Sequence, residues 1–167
     1  MPFFDVNPRQ LTILGHMIIS MLLGGAIGWE RDRSGKPAGL RTHMLVAGAA
    51  SLLVGLAHIG ITVFETQLSR PIVGGDPIRV IQTIITGFSV IGAGTIIGGA
   101  QRPVVGLTTA ASILFVATIG ICVAMSQILL ALGATVVGLA ALKLLRSADD
   151  MADARTTEKT AARGRIR

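Results

Sequence analysis

Three side chains beside one short polar connection could form a site. Glu30 ends an apolar segment, and Arg41 and His43 come just before the next one. A carboxylate, a guanidinium and an imidazole can together hold an ion pair, bind an ion or pass a proton. In an antiparallel helix pair Glu30 and Arg41 would lie at the same depth, and we expect them to pair, because an uncompensated charge near hydrocarbon is costly.

Two interpretations of these three residues stay open. In the first, they are a polar site at the mouth of a helix bundle. In the second, they are a clamp that fixes a helix hairpin. The turn of that hairpin would contain Lys36, Pro37 and Gly39.

A second set of charges lies further along the chain, at Asp76 and Arg79. Asp76 followed by Pro77 is typical of a helix start, with the aspartate as N-cap and the proline at the first helical position. The alternative is a weak outer-face cation site that Asp76 shares with Glu65. Magnesium normally needs one or two carboxylates plus waters and other ligands, so Asp76 alone is too little, and no metal site is assigned.

Other polar side chains lie within or beside apolar segments. Thr108 and Thr109 are expected to cap a helix, with contact to a substrate as the alternative. His16 and His58 are expected to bond to neighbouring helices rather than to carry protons. An imidazole that did titrate there would respond to mildly acidic pH.

The elements that position these residues are membrane-length apolar segments. The chain has 167 residues, of which 51% are hydrophobic and 14% charged, and its mean hydropathy is +0.69. Soluble proteins carry roughly 25% charged residues, so lipid is the indicated solvent. A transmembrane helix needs about 20 apolar residues, and the chain offers five segments, the last of borderline length: 11–29, 44–64, 80–100, 104–125 and 128–145. We therefore predict an all-α, polytopic helical membrane protein with about five transmembrane helices.

Basic residues indicate the orientation of this bundle. Only Arg9, Arg70 and Arg79 of the 15 Lys and Arg would lie on the face opposite the charged connection. Because basic residues favour the cytoplasmic side, the N-terminus is predicted outside and the C-terminus in the cytoplasm. Residues 1–146 would form the transmembrane domain, and 147–167 a short or disordered basic tail. The net charge of +6 then reflects topology and contact with lipid, and no nucleic-acid partner is expected.

Glycines predict where the helices approach closely. Gly24 and Gly28 share a helix face in the first segment, and so do Gly94 and Gly98 in the third. Packing inside one bundle is favoured, with a homodimer face as the alternative. The third segment is rich enough in glycine to bend or break and so to line a polar interior, although tight packing is favoured. Its glycines include Gly87, Gly92, Gly94 and Gly98.

Several function classes have little support in the sequence. No Asp or Glu falls in the middle of a segment, which argues against a proton-carrying rotor subunit or a proton-coupled transporter. Phosphate-binding, serine-hydrolase and zinc motifs are absent, so we expect no enzyme and no cofactor. The single cysteine, Cys122, is expected to be inert.

Four motifs in order resemble the MgtC/SapB family of bacterial inner-membrane proteins. They are GxxIGWERDRxGKPAGLRTH at 24–43, DPIRVIQTIITG at 76–87, IGAGTII at 91–97 and VGLTTAAS at 105–112. The last contains Gly106, Thr108 and Thr109. Ser89 and Phe115 depart from the pattern, where the family usually has glycine and often tryptophan. The resemblance is to a short, membrane-only branch without the soluble C-terminal domain of longer relatives.

This resemblance implies a link to magnesium limitation, acid tolerance and survival inside host phagocytes. It favours an accessory or regulatory protein that binds another membrane complex, such as the rotary ATP synthase. The alternative is a transporter or channel for a cation or small solute. A kinked third segment beside a cavity that reaches Gly92 and Gly94 would favour transport, and a straight, close-packed one would favour the accessory role.

Overall fold

The computed structural model describes residues 8–68, 77–99 and 102–144. Within these ranges the chain forms five helices and one small β-hairpin. The helices are α1 (Pro8–Arg33), α2 (Leu40–Leu68), α3 (Pro77–Gly94), α4 (Leu107–Ala124) and α5 (Ile128–Leu144). Strands β1 (Ile97–Gly99) and β2 (Arg102–Val105) pair antiparallel. The predicted all-α class is confirmed, with the hairpin as a minor addition.

Of the helices that the structure describes, three are long and apolar enough to cross a membrane: α1, the part of α2 over Leu40–Val63, and α4. The apolar parts of α3 and α5, Ile78–Gly94 and Ile128–Leu144, are shorter. Large apolar side chains cover the outside of the bundle, and Leu129 is 85% exposed. An apolar exterior of this kind is what a lipid-facing surface requires, so the chain is a membrane protein.

The predicted third and fourth segments were too long. Helix α3 ends at Gly94, where the amides of Thr95 and Ile96 bond to carbonyls three residues back, at 3.0 and 3.1 Å. The Thr95 hydroxyl also bonds to the Gly92 carbonyl, at 2.7 Å, and so competes with helical bonding. Pro103 then lies in β2, because proline cannot continue a helix. Gly98 therefore belongs to a strand, and the predicted helical stripe of Gly94 with Gly98 does not exist.

Helices α1, α2 and α4 pack against one another around a core of small and β-branched residues, and α3 contacts α4 and α2. Helix α5 buries Ala131 in the same core and lays Gly138 against Phe115 of α4. The membrane-length helices thus form the centre of the bundle, and the two shorter helices flank α4.

The glycines of α1 are used inside the bundle. A Cβ on Gly24 would lie 2.6 Å from the His43 carbonyl oxygen, and one on Gly28 would lie 2.7 Å from Leu40 Cα. Gly120 of α4 similarly meets the carbonyl of Ala47. Backbones this close leave no room for a side chain. The α1 stripe is therefore an intramolecular contact with α2 rather than an exposed face for a second copy.

Gly106 ends the β-hairpin and begins α4 with a left-handed backbone, φ 94°. A Cβ added at this position would overlap the Thr95 carbonyl oxygen. We expect Gly106→Ala to lower the free energy of unfolding by about 2 kcal/mol or more, because strain and overlap add. Thermal unfolding in detergent, followed by size-exclusion chromatography, measures the loss. Gly94→Ala is the control, since nothing lies within 4 Å of its Cβ; equal effects of the two changes would contradict the prediction.

Candidate functional site

The last turns of α1 hold a buried ion pair. The Nε of Arg31 donates to the Oε2 of Glu30 at 2.7 Å, and the two side chains are 4% and 8% exposed. The hydroxyl of Ser34, one turn later, donates to the Oε1 of Glu30, also at 2.7 Å. The Nη1 of Arg31 is buried without a hydrogen-bond partner. Neutral as a pair, these groups can remain below the surface of the bundle.

The expected pair of Glu30 with Arg41 is wrong. Arg41 is exposed, and Glu30 pairs with its neighbour Arg31 instead. The reason is helical geometry: Arg41 and His43 are two residues apart in α2, about 200° around the axis, so they lie on opposite faces. His43 faces α1, and Arg41 therefore faces away from it.

His43 links α2 to α4. It is fully buried, its Nδ1 donates to the Gly39 carbonyl at 2.8 Å, and its Nε2 lies 3.0 Å from the Ser112 hydroxyl. That hydroxyl also donates to the Thr109 carbonyl, at 2.8 Å. A carbonyl only accepts hydrogen bonds, so a neutral ring carries its proton on Nδ1. Nε2 is then an acceptor, and the single hydroxyl proton of Ser112 is shared between Nε2 and the Thr109 carbonyl. The result is a polar bridge between two core helices.

The turn between α1 and α2 is built on Asp32. Its Oδ2 accepts a hydrogen bond from the Leu40 amide at 3.0 Å and so caps the start of α2 from eight residues away. A Cβ on Gly39 would overlap the Oδ1 of the same carboxylate. Lys36 and Pro37 lie exposed in this turn. The turn is therefore fixed by one carboxylate and one glycine.

We expect Gly39→Ala to cost about 2 kcal/mol of stability, because the new methyl group displaces the capping carboxylate. In an Asp32→Ala background the same change should cost less, by on the order of 0.5 kcal/mol or more, which is the usual coupling energy between residues in contact. The reason is that the carboxylate which the new methyl group would displace is no longer there. Thermal unfolding of the two single variants and the double variant gives the coupling. Strict additivity would contradict the geometry described for the turn.

The remaining predicted residues are dispersed. Asp76 lies outside the described residues, and Arg79 is exposed in the first turn of α3. The residue that caps α4 is Gly106, and no side chain forms a hydrogen bond at this cap, so the expected capping by threonine hydroxyls is wrong. Thr109 is buried, and Thr108 is exposed.

The glycines of α3 form no common contact. Gly92 packs against Ala110 of α4, with its Cβ position 3.4 Å from the Ala110 carbonyl oxygen. A Cβ added at Gly87 or at Gly94 would have no neighbouring atom within 4 Å. In the part of the chain that the structure describes, no three His, Cys, Asp or Glu side chains come close enough to hold a metal ion.

Four residues of the site were missed by reasoning from the sequence: Asp32 and Ser34 at the hairpin turn, and Arg31 and Ser112 on packed helix faces. A signal for Arg31 exists: it follows Gly24 and Gly28 at helical spacing, so it shares the face of α1 that meets α2. Ser112 follows Thr109 by three residues in α4, and both are buried, so the two side chains share one face of the helix. Neither Arg31 nor Ser112 stands out by type alone.

Comparison with known proteins places the chain in a family. A sequence profile of the MgtC family matches residues 17–151. A protein of Escherichia coli K12 named "Putative magnesium transporter YhiD" is 43% identical over 104 residues, 62% of this chain and 46% of the relative. "Protein MgtC" of Salmonella typhimurium LT2 is 36% identical over 133 residues, 80% of this chain and 52% of the relative.

An uncharacterized protein of Haemophilus influenzae is 35% identical over 138 residues, 83% of this chain and 57% of the relative. The chain thus spans about half the length of these relatives. No solved structure shows a significant match to it. The profile match covers nearly all of the described helices, including the hairpin that carries Glu30, Arg31 and His43. The chain belongs to the MgtC family.

Proposed function

We propose that this chain is a multi-pass protein of the bacterial cytoplasmic membrane that serves as an accessory or regulatory subunit for another membrane complex under magnesium limitation. Family membership supports the link to magnesium, as does the name of the relative YhiD. Catalysis is not part of the proposal. The α1–α2 turn would face the cytoplasm, as the distribution of basic residues favours.

The observation that carries the proposal is the closed polar end of the helix hairpin. Glu30 is bonded by Arg31 and Ser34, and His43 has a partner at each ring nitrogen. A residue that conducts an ion must release its own hydrogen-bond partners in order to bind that ion. For Glu30 this means breaking a buried ion pair. Breaking such a pair costs about 3 to 5 kcal/mol. These residues are therefore better suited to hold α1, α2 and α4 together than to conduct.

The third helix supports the same proposal. The predicted third segment does break, because α3 ends at Gly94 and β1 follows, but Gly92 packs directly on α4. The bundle contains a cavity of about 510 Å³, which meets α3 at Val80 and Ile81 and reaches none of its glycines. A kinked third segment beside a water-filled cavity that reaches Gly92 and Gly94 was the expected sign of a transporter. The close packing there favours an accessory protein instead.

A binding partner would meet the exposed end of the hairpin. Arg33, Lys36 and Arg41 are exposed there, and the Arg33 guanidinium lies 5.6 Å from the ring centre of the exposed Trp29. Arginine and tryptophan are enriched in protein contacts. An acidic cytoplasmic surface of a membrane complex would match this basic end in charge.

Site-specific photo-crosslinking in native membranes tests this proposal. A photoreactive amino acid in place of Lys36 or Arg41 should give one discrete protein adduct under magnesium limitation. The matched control is Leu129, an 85% exposed apolar residue on α5 that would face lipid. Adducts at position 129 alone, or no protein adduct at all, would overturn the proposed contact.

The second candidate, a transporter or channel, is favoured by the same cavity. It enters the bundle at the end opposite the charged hairpin, between the start of α1 and the second half of α2. A solute-conducting protein needs such an opening at each end. Direct measurement of ion flux separates the two functions.

A further inference from the structure

The outer face of α3 is polar, although the inner face of the same helix is apolar. Ile84 and Phe88 point into the core and are buried. The exposed side carries an amide, hydroxyl groups and small residues: Gln82, Thr83, Thr86, Gly87, Ser89 and Ala93. Val90 and Ile91 are the large apolar side chains exposed between them. A helix that faces lipid needs an apolar exterior, so this face is unsuited to lipid.

Helix α3 lies at the same depth as α4, which is long enough to cross a membrane. Gly92, near the end of α3, packs on Ala110 near the start of α4. Val80, near the start of α3, lines the same cavity as Ala124 at the end of α4. The two helices are therefore antiparallel neighbours along most of their lengths. The polar face of α3 consequently lies at the depth of the hydrocarbon that surrounds α4.

The hydroxyl groups on this face bond to their own helix, whereas the Gln82 amide does not. Thr86 Oγ1 donates to the Gln82 carbonyl at 2.8 Å, and Ser89 Oγ donates to the Ile85 carbonyl at 2.7 Å. The side-chain amide of Gln82 is exposed and forms no hydrogen bond with the described residues. Hydrocarbon cannot hydrogen-bond an amide, so exposure to lipid is costly for it. A protein surface that pairs with the amide removes this cost.

Four exposed residues form a continuous line on this face, which we name the α3 seam: Gln82, Thr86, Ser89 and Ala93. Their spacings alternate between four and three residues, as do the core positions of a left-handed helix pair. Three of the four side chains are small and let a second backbone approach closely. A Cβ at the adjacent Gly87 or Gly94 would also have nothing within 4 Å. The α3 seam therefore has the pattern of a helix–helix contact, and no described helix of this chain covers it.

A second copy of the chain matches the α3 seam in symmetry and in charge. Copies that insert in one orientation are related by a two-fold axis along the membrane normal, so each seam residue meets its own counterpart. A charged residue would repel its counterpart, but residues 80–94 contain no Lys, Arg, Asp or Glu. An amide both donates and accepts, so two Gln82 side chains can bond to each other. Arg79 precedes the seam in the first turn of α3, where a long side chain reaches the membrane surface.

We propose that the α3 seam joins two copies of this chain within the membrane. The two α3 helices form a parallel, left-handed pair, and the two Gln82 amides exchange hydrogen bonds across it. This amide pair fixes the register, as a single buried amide does in a coiled coil. The contact uses no residue of the α1–α2 turn, so the proposed function does not depend on it.

Cysteine cross-linking in native membranes tests the proposal, because a parallel pair places each position against the same position of the other copy. In a Cys122→Ser background, Ser89→Cys and Ala93→Cys should each give a disulfide-linked dimer when copper phenanthroline is added. Ile91→Cys lies outside the seam on the same helix, and Leu129→Cys lies on α5; both positions are exposed and should give little dimer. Equal yields at seam and control positions, or no dimer at the seam, would overturn the proposal. A disulfide to a different protein at the seam would overturn it too and would assign the face to that protein.

Energy transfer between donor-labelled and acceptor-labelled copies in liposomes measures the strength of the pair. Gln82→Ala should weaken dimerisation about fivefold, or about 1 kcal/mol, because the interhelical bonds of the amides are lost. Ser89→Phe places a ring in the middle of the seam and should weaken dimerisation at least about tenfold. Ile91→Phe adds the same ring outside the seam and should have no effect. Dimerisation of a folded Ser89→Phe variant at wild-type strength would overturn the seam, and an unchanged Gln82→Ala variant would overturn the amide pair.

Discussion

Gly24→Ala is expected to lower the free energy of unfolding by about 3 kcal/mol, among the largest effects of any single methyl group in this protein. The added Cβ would lie 2.6 Å from the His43 carbonyl oxygen, 2.7 Å from the Ala47 Cβ and 3.0 Å from the Val116 Cγ1. Backbone atoms of a packed helix cannot move aside separately, so α1 and α2 must separate. Overpacking of this kind costs typically 1 to 3 kcal/mol, and here two helices are affected.

The matched control for this change is Gly15→Ala in the same helix. Nothing lies within 4 Å of a Cβ at Gly15, and alanine is a better helix former than glycine by up to about 1 kcal/mol. Gly15→Ala should therefore leave the apparent melting temperature in detergent unchanged or raise it. A similar loss for both variants would mean that the α1–α2 contact is looser than described.

Glu30→Gln is expected to cost about 3 kcal/mol, because it leaves the Arg31 guanidinium buried without its carboxylate. Arg31 is 3% exposed, and its Nη1 already lacks a partner. Glutamine keeps the shape of glutamate, so the loss of stability measures the removal of the charge and not the creation of a cavity. Thermal unfolding in detergent, read by size-exclusion chromatography, measures it.

Two further variants test the assignment of this pair. Arg41→Gln should change stability by no more than about 0.5 kcal/mol, as is usual for an exposed side chain. The double variant Glu30→Gln with Arg31→Met should recover much of the loss, since removal of both charges of a buried pair is often close to neutral. A loss of stability for Arg41→Gln as large as that for Glu30→Gln would instead indicate that Glu30 pairs with Arg41 across the hairpin.

The elements of this fold could be predicted because each is encoded locally. Apolar length and turn residues located five helices, and the charged run from Glu30 to Arg41 marked the connection between the first two. The hairpin between α3 and α4 could not be read in this way. Ile96, Ile97, Val104 and Val105 are as apolar as a membrane helix, and only the hydrogen bonds of Thr95 and the pairing of β1 with β2 reveal that they leave the helix.

The site was only partly predictable, because its partners are decided by rotation about each helix. Glu30 and His43 were identified by type, and both are buried at the hairpin. The choice of Arg31 over Arg41 depends on which face of α2 meets α1, and that face is set by the glycine contacts at Gly24 and Gly28. Ser112 reaches His43 across 69 residues of sequence, a distance at which spacing carries no information.

The most direct test of the central claim is magnesium flux into liposomes that contain the purified chain and an entrapped magnesium-sensitive dye. An accessory protein with a closed hairpin should give no flux above that of protein-free liposomes. Parallel liposomes with Arg41→Gln and Glu30→Gln, each first shown to be folded by size-exclusion chromatography, complete the measurement. Protein-dependent flux that persists in Arg41→Gln and is lost in Glu30→Gln would contradict the account and make the buried pair part of a conduction path.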